Sequence, residues 1–195
     1  MKKLLLLGNG PIPYDISDKV NSFDYVFRIN RMTNFLTTGT RIDGVFIGAY
    51  RDFKYEYRGG DFKEYFKTAK EVFLTESLKL RFDNWNEFLT QEQWNQVKIM
   101  SFAGNRQNIG MDFPTTTLCV LNVLTTAPEW YENYEIWIAG ITVEGRKELM
   151  ETGDAWIKTN HRFYGKEEEE FLKRLIKENK IKRLIPEIDD NIYNC

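Results

Sequence analysis

The chain has 195 residues, enough for one domain whose core needs neither metal nor disulfide. Hydrophobic residues make up 42% and charged residues 29%, the balance of an ordinary globular protein. A net charge of −2 and a pI near 5.6 give no electrostatic footprint for nucleic acid and argue against a membrane surface as partner.

The start, Met1 to Leu7, is apolar after two lysines, but the run stops at Gly8-Asn9-Gly10. That is too short for a signal peptide and has no cleavage site. No stretch reaches membrane-spanning length, and the expected location is the cytoplasm. Cys119 and Cys195 form no CxxC and belong to no zinc-spaced cluster, so two reduced thiols are expected.

Leu4 to Leu7 is a continuous apolar run that breaks on glycine, the pattern of a strand buried on both faces of a parallel sheet. Tyr25 to Ile29, Gly44 to Ile47 and Glu71 to Leu74 read as three more strands, separated by polar segments of weak helical period. From Tyr50 to Phe113 the pattern is poor. Tyr55, Tyr57, Trp85 and Trp94 stand there among many charges, which suggests peripheral helices and loops, a cleft lining or a lid, with a short strand over Val97 to Met100. Pro114 and the threonines at 115, 116 and 117 precede an apolar run and signal a helix start, with the end near Pro128. Glu135 to Ala139 is the clearest late strand and breaks at Gly140.

The last helix is expected from about Lys166 to Asn179, with acids 167 to 170 at its start and Lys173, Arg174 and Lys177 near its end. Glu169 with Lys173, and Glu170 with Arg174, have i,i+4 spacing, so the acidic run reads as a solvated helix start. Ile181 to Ile185 follows as an edge strand. The alternation predicts one three-layer α/β/α Rossmann-like domain with a mainly parallel sheet over 1–195.

In such a sheet ligands bind at the carboxyl ends of the strands, and three features gather there. The turn Gly8-Asn9-Gly10-Pro11 lets backbone approach a ligand closely, and Asn9 both donates and accepts. It is not a dinucleotide fingerprint, because the third glycine position falls on Pro13, and it is not a phosphate loop, because no Gly-Lys-Ser/Thr follows. At the end of the second strand, Asn30 contacts a nucleotide in the functional reading, and Arg28 orders the site or meets a carboxylate. The helix start at Thr115 and Thr116 suits an anion, or is simply capped. His161, the sole histidine, is either structural or merely exposed, or the natural general base near neutral pH.

These pieces, in this order, resemble the sialyltransferases of glycosyltransferase families twenty-nine and forty-two. One family motif is similar to residues 7–11, 24–30 and 38–43; a second to 114–117 and 136–141; the last to a lone histidine before a carboxylate-led helix. The resemblance covers about two-thirds of the chain. It implies a GT-A-like variant of the fold and an inverting, metal-independent, cofactor-free transfer of sialic acid or a related keto sugar acid from a CMP-activated donor to a glycan. In that reading Gly8, Asn9, Gly10, Arg28, Asn30, Thr115, Thr116 and Gly140 belong to the donor site, Asn9 and Asn30 hold the nucleotide, and the two threonines face the donor's phosphate or carboxylate. His161 is the catalytic base, Tyr164 reaches the phosphate, and an acceptor region lies within 50–113. Two departures stand out. Thr117 occupies a position usually held by glycine, and the spacing from His161 to Glu167 is one residue longer than usual. The alternatives are a Kdo transferase, a non-catalytic nucleotide- or glycan-binding module and, more remotely, a nicotinamide-dependent oxidoreductase.

Overall fold

Four consecutive leucines put apolar side chains on both faces of a strand, so that strand must lie in a sheet covered on both sides. The structure, a computed structural model, describes residues 1–10, 12–30, 34–48, 63–112, 114–143 and 165–185. In it β1 (Lys2–Leu7) is an interior strand between β2 and β6. Leu4 and Leu6 pack into one apolar cluster, while Leu5 and Leu7 pack into another on the opposite face.

Six further strands follow: β2 (Tyr25–Ile29), β3 (Gly44–Ile47), β4 (Glu71–Leu74), β5 (Lys98–Ile99), β6 (Tyr134–Ala139) and β7 (Lys182–Arg183). They form one sheet in the order β5-β4-β3-β2-β1-β6-β7, and every described ladder is parallel. Helices cover both faces, giving the three-layer α/β/α Rossmann-like arrangement expected of alternating strands and helices.

One face carries α7 (Thr116–Thr126) and α9 (Gly165–Lys177), which bury Leu118, Leu121 and Leu124, and Phe171, Leu172 and Leu175, against the strands. The shorter α6 (Asn105–Ile109) and α8 (Pro128–Tyr131) flank α7. The other face carries α1 (Ser17–Asn21) and α2 (Phe35–Thr38) near the centre, then α3 (Lys63–Phe66), α4 (Glu76–Lys79) and α5 (Gln91–Asn95) toward the β5 edge.

The weak sequence pattern of 63–112 thus adds the outer strands and pads one face of β3 and β4. Phe66, Phe82, Phe88, Trp85 and Trp94 form a core cluster there and do not line a cleft. Phe66, Phe82 and Phe88 are buried, and Trp85 and Trp94 stack at 4.9 Å between ring centroids against the same cluster. Tyr55 and Tyr57 lie outside the described residues. No described helix is long and apolar enough to cross a membrane.

At the amino ends of β2 and β3, Asp43 joins loops to strands. Its Oδ2 accepts from Val26 N at 2.9 Å and meets Arg41 at 2.8 Å, while Oδ1 meets Lys70 at 2.5 Å. Burial alone would raise this carboxyl, but the bonds from Lys70, Val26 and Arg41 hold it below the ordinary carboxylate range. A depressed carboxyl contributes stability above its unfolded pKa, and that stability is lost as pH falls through the lower folded value. Asp43→Asn is therefore expected to cost about 1–2 kcal/mol at pH 7, discounted because both cations are partly solvated. Urea titrations from neutral pH to below pH 3 should show the gap between the two proteins closing in acid. A gap that stays constant across that range rejects the ionic account.

Candidate functional site

Chain order runs outward from β1 in both directions, to β2 through β5 on one side and to β6 and β7 on the other. The strand order therefore switches between β1 and β6, and their carboxyl ends are where open α/β sheets place a ligand. There the turn after β1 crosses the turn after β6. Gly8 N donates to Ala139 O at 2.9 Å, and Gly10 N donates to Gly140 O at 2.8 Å. A Cβ on Gly8 would collide with the Gly140 carbonyl oxygen, one on Gly10 would come within 2.8 Å of it, and Gly140 itself has φ +64°. Only glycine satisfies all three positions.

Buried Asn34 locks this crossing. Its Nδ2 donates to Gly8 O at 3.1 Å and to Gly10 O at 2.7 Å. Asn34 is held in turn by Thr38, whose hydroxyl donates to Asn34 O at 2.6 Å and accepts from Arg28 Nη1 at 3.0 Å. Arg28, 1% exposed, also donates to the carbonyls of Arg41, Thr38 and Gly39, and stacks over Phe35 at 4.7 Å. Burial pushes its guanidinium down to about 10, still charged at neutral pH. Of the two roles open to Arg28, the geometry is that of a residue ordering the turn: the side chain points to the α2 loop.

Two asparagines bridge neighbouring strand ends. Asn9 Nδ2 donates to Ile29 O at 3.2 Å, linking β1 to β2. Asn30, at φ +49°, accepts from Gly48 N at 2.7 Å through Oδ1, linking β2 to β3. Its Nδ2 donates to no described residue. Gly48 must be small because the Thr116 methyl would stand 2.5 Å from a Cβ there. The start of α7 is thereby seated on the end of β3, and the crossing, the two asparagines and the threonine helix start form one rim.

The helix start is partly answered from within the chain. Thr115 is the residue before α7, in extended conformation, and makes no side-chain cap. Its N–H donates to Glu168 Oε1 at 3.1 Å. Its hydroxyl oxygen is closed to solvent and meets no partner among the described residues. Glu168 is 1% exposed, which corrects the expectation of a wholly solvated acidic run. In that run Lys173 pairs with Glu169 at 2.7 Å as expected, whereas Arg174 donates to Asn108 O at 3.0 Å. The Cys119 thiol behind the helix start is pushed up by burial to about 11, so it is no nucleophile at neutral pH.

The structure thus brings together Gly8, Asn9, Gly10, Asn30, Thr115, Thr116 and Gly140. His161 and Tyr164 lie outside the described residues, as do Pro11 and Cys195. Asn34, Gly48 and Glu168 were missed. Glu168 had a signal, since it falls three, four and seven residues before Phe171, Leu172 and Leu175 and so shares their buried stripe. Among the described residues, no three His, Cys, Asp or Glu side chains are grouped to hold a metal ion.

No protein-family profile matches the chain, and no curated protein matches it either. Among solved structures, the sialyltransferase CstII from Campylobacter jejuni, in complex with the substrate analogue CMP-3FNeuAc, aligns with 15% identity and a TM-score of 0.41 over 95% of this chain and 82% of its own. At that score the likeness bears on neither substrate nor mechanism.

The crossing makes a direct prediction. Gly8→Ala is expected to cost about 2–3 kcal/mol through overpacking, read as a Tm lower by roughly 4–12 °C for a chain of this size. Gly110→Ala, where a Cβ meets nothing within 4 Å but φ is +84°, should cost only about 1 kcal/mol of backbone strain. Equal losses at the two positions in thermal denaturation would remove the steric argument.

Proposed function

We propose that the rim binds the nucleotide of a CMP-activated sugar and that the chain is an inverting, metal-independent glycosyltransferase of sialyltransferase type. The observation that carries this reading is the meeting of the glycine crossing, Asn30 and the α7 start at the switch point of the sheet. Three details support it. The Asn30 Nδ2 is left to meet a ligand acceptor. The Thr115 hydroxyl is buried and unpaired among the described residues, and such atoms call for a partner. The first-turn N–H groups of Thr116 and Thr117 have no acceptor within their own helix, which suits a phosphate or carboxylate.

In this reading the donor is CMP-sialic acid or a related keto sugar acid, and CMP-Kdo shares the same two anionic handles. His161 takes the proton of the attacking glycan hydroxyl, a step typically worth 10²–10⁴ in rate. Tyr164 reaches the departing phosphate. Donated hydrogen bonds at the α7 start stabilise the charge that develops there.

A second reading, a non-catalytic nucleotide- or glycan-binding module, is favoured by Glu168, which already supplies an anion to the helix start. A thermal-shift panel with CMP, CDP, UDP, ADP and NAD separates the outcomes. A bound ligand at about a hundred times its Kd adds roughly 2.7 kcal/mol. Stabilisation by CMP and CDP alone is the expected result, and stabilisation by NAD or ADP alone overturns it. Transfer assays with CMP-sialic acid and CMP-Kdo then decide between enzyme and module. His161→Ala should keep the CMP shift and lose about 10²–10⁴ in kcat. An unchanged rate removes His161 as base, and CMP binding without transfer in the wild type selects the module.

A further inference from the structure

A cleft of about 490 Å³ opens between β4 and β5 on one side and α7 with α8 on the other, and it shares no residue with the rim. β5 beside it is only two residues long, and residues of α6, α7 and α8 complete the lining. Its lining includes two buried carboxamides, Asn105 and Asn122, at 3% and 4% exposure. Asn122 Nδ2 donates to Asn105 Oδ1 at 2.7 Å, and Asn105 Nδ2 donates to Cys119 O at 3.2 Å.

That leaves Asn122 Oδ1 accepting from no described residue. An asparagine inside a helix whose neighbours Leu121 and Val123 are apolar lowers helix propensity. The Asn122 oxygen is not closed to solvent, so a ligand hydroxyl can donate to it in place of water. Ser101 and Thr126 add hydroxyls to the same lining, and Phe73 and Trp130 add aromatic surface. The Ser101 oxygen accepts from Ala103 N at 3.2 Å, which leaves its own hydrogen to donate.

The charge in the lining is compensated or peripheral. Lys98 is paired with the Glu71 carboxylate, and Glu129 is exposed. An anion finds no free cation here, and a cation finds no buried carboxylate. Neutral donors and acceptors beside aromatic faces match a polyhydroxylated ring with an apolar C–H face. The volume lies within the range of small-molecule sites, about 300–1,000 Å³. We propose that this cleft is a second binding site, for a neutral saccharide of one or two rings.

The inference does not rest on the CMP-sugar reading. It is tested by saturation-transfer NMR on the full chain with glucose, galactose, maltose and lactose at millimolar concentration, with and without CMP. At least one sugar should give a saturable signal that CMP leaves unchanged. Ala103→Trp, an exposed position in the lining, plugs the cleft, and Asn122→Leu removes the carboxamide; each should weaken binding about tenfold or more. If Asn122→Leu fails to fold, Ala103→Trp still decides the matter. The proposal is overturned by no binding of any of the four sugars, by binding that survives Ala103→Trp, or by competition from CMP, which would put the sugar at the rim.

Discussion

Everything at the carboxyl edge of this sheet depends on two backbone turns passing within hydrogen-bond distance of each other. Parallel strands β1 and β6 end side by side, and the chain leaving each must turn without pushing the other away. Gly8 and Gly10 donate to Ala139 O and Gly140 O, so the crossing is bonded as well as close. A side chain at position 8 or 10 would force the turns apart, and a packed interior does not absorb such a displacement locally. The rim is therefore rigid where a ligand would need backbone closest to it.

That rigidity is relayed from an unexpected source. Arg28 is a buried cation whose described hydrogen bonds all go to neutral oxygens, three backbone carbonyls and the Thr38 hydroxyl. Thr38 passes the constraint to Asn34 O, and Asn34 Nδ2 grips Gly8 O and Gly10 O. One guanidinium in the α2 layer thus fixes a turn to which it donates no hydrogen bond. Burying a charge this way is costly, as its lowered pKa of about 10 indicates. The return is a loop with its carbonyls satisfied. An arginine placed to meet a ligand would instead keep its fork turned toward the crevice.

The central part of the fold was legible because β1, β3 and β6 are short, largely apolar runs that break on glycine, a pattern that needs no tertiary context. The last helix was legible for a similar reason, since Phe171, Leu172 and Leu175 repeat at helical spacing. Of the rim, the glycine turn, Asn30 and the threonine helix start could be read because turns and helix starts have local chemistry. Asn34 and Gly48 could not. Each matters only because a remote segment approaches it, Gly8 and Gly10 for one and Thr116 for the other. The aromatics of 63–112 misled for the opposite reason. Trp85 and Trp94 sit among charges in the chain, yet they stack on each other against a buried phenylalanine cluster.

Glu168 sets the terms on which an anion meets the helix start. The N-terminus of α7 carries partial positive charge and free N–H groups, and its nearest donor, Thr115 N, is already bonded to a carboxylate anchored from α9. A second anion there would use the next N–H groups, those of Thr116 and Thr117. In the proposed reading, the donor's anionic group would enter beside Glu168 and meet the N–H groups of Thr116 and Thr117, while the Asn30 carboxamide would meet the uncharged part of the nucleotide. Carboxamide, hydroxyl and backbone donors discriminate by hydrogen-bond geometry more than by charge. On this rim, therefore, recognition of a nucleotide would rest on its base and ribose as much as on its phosphate.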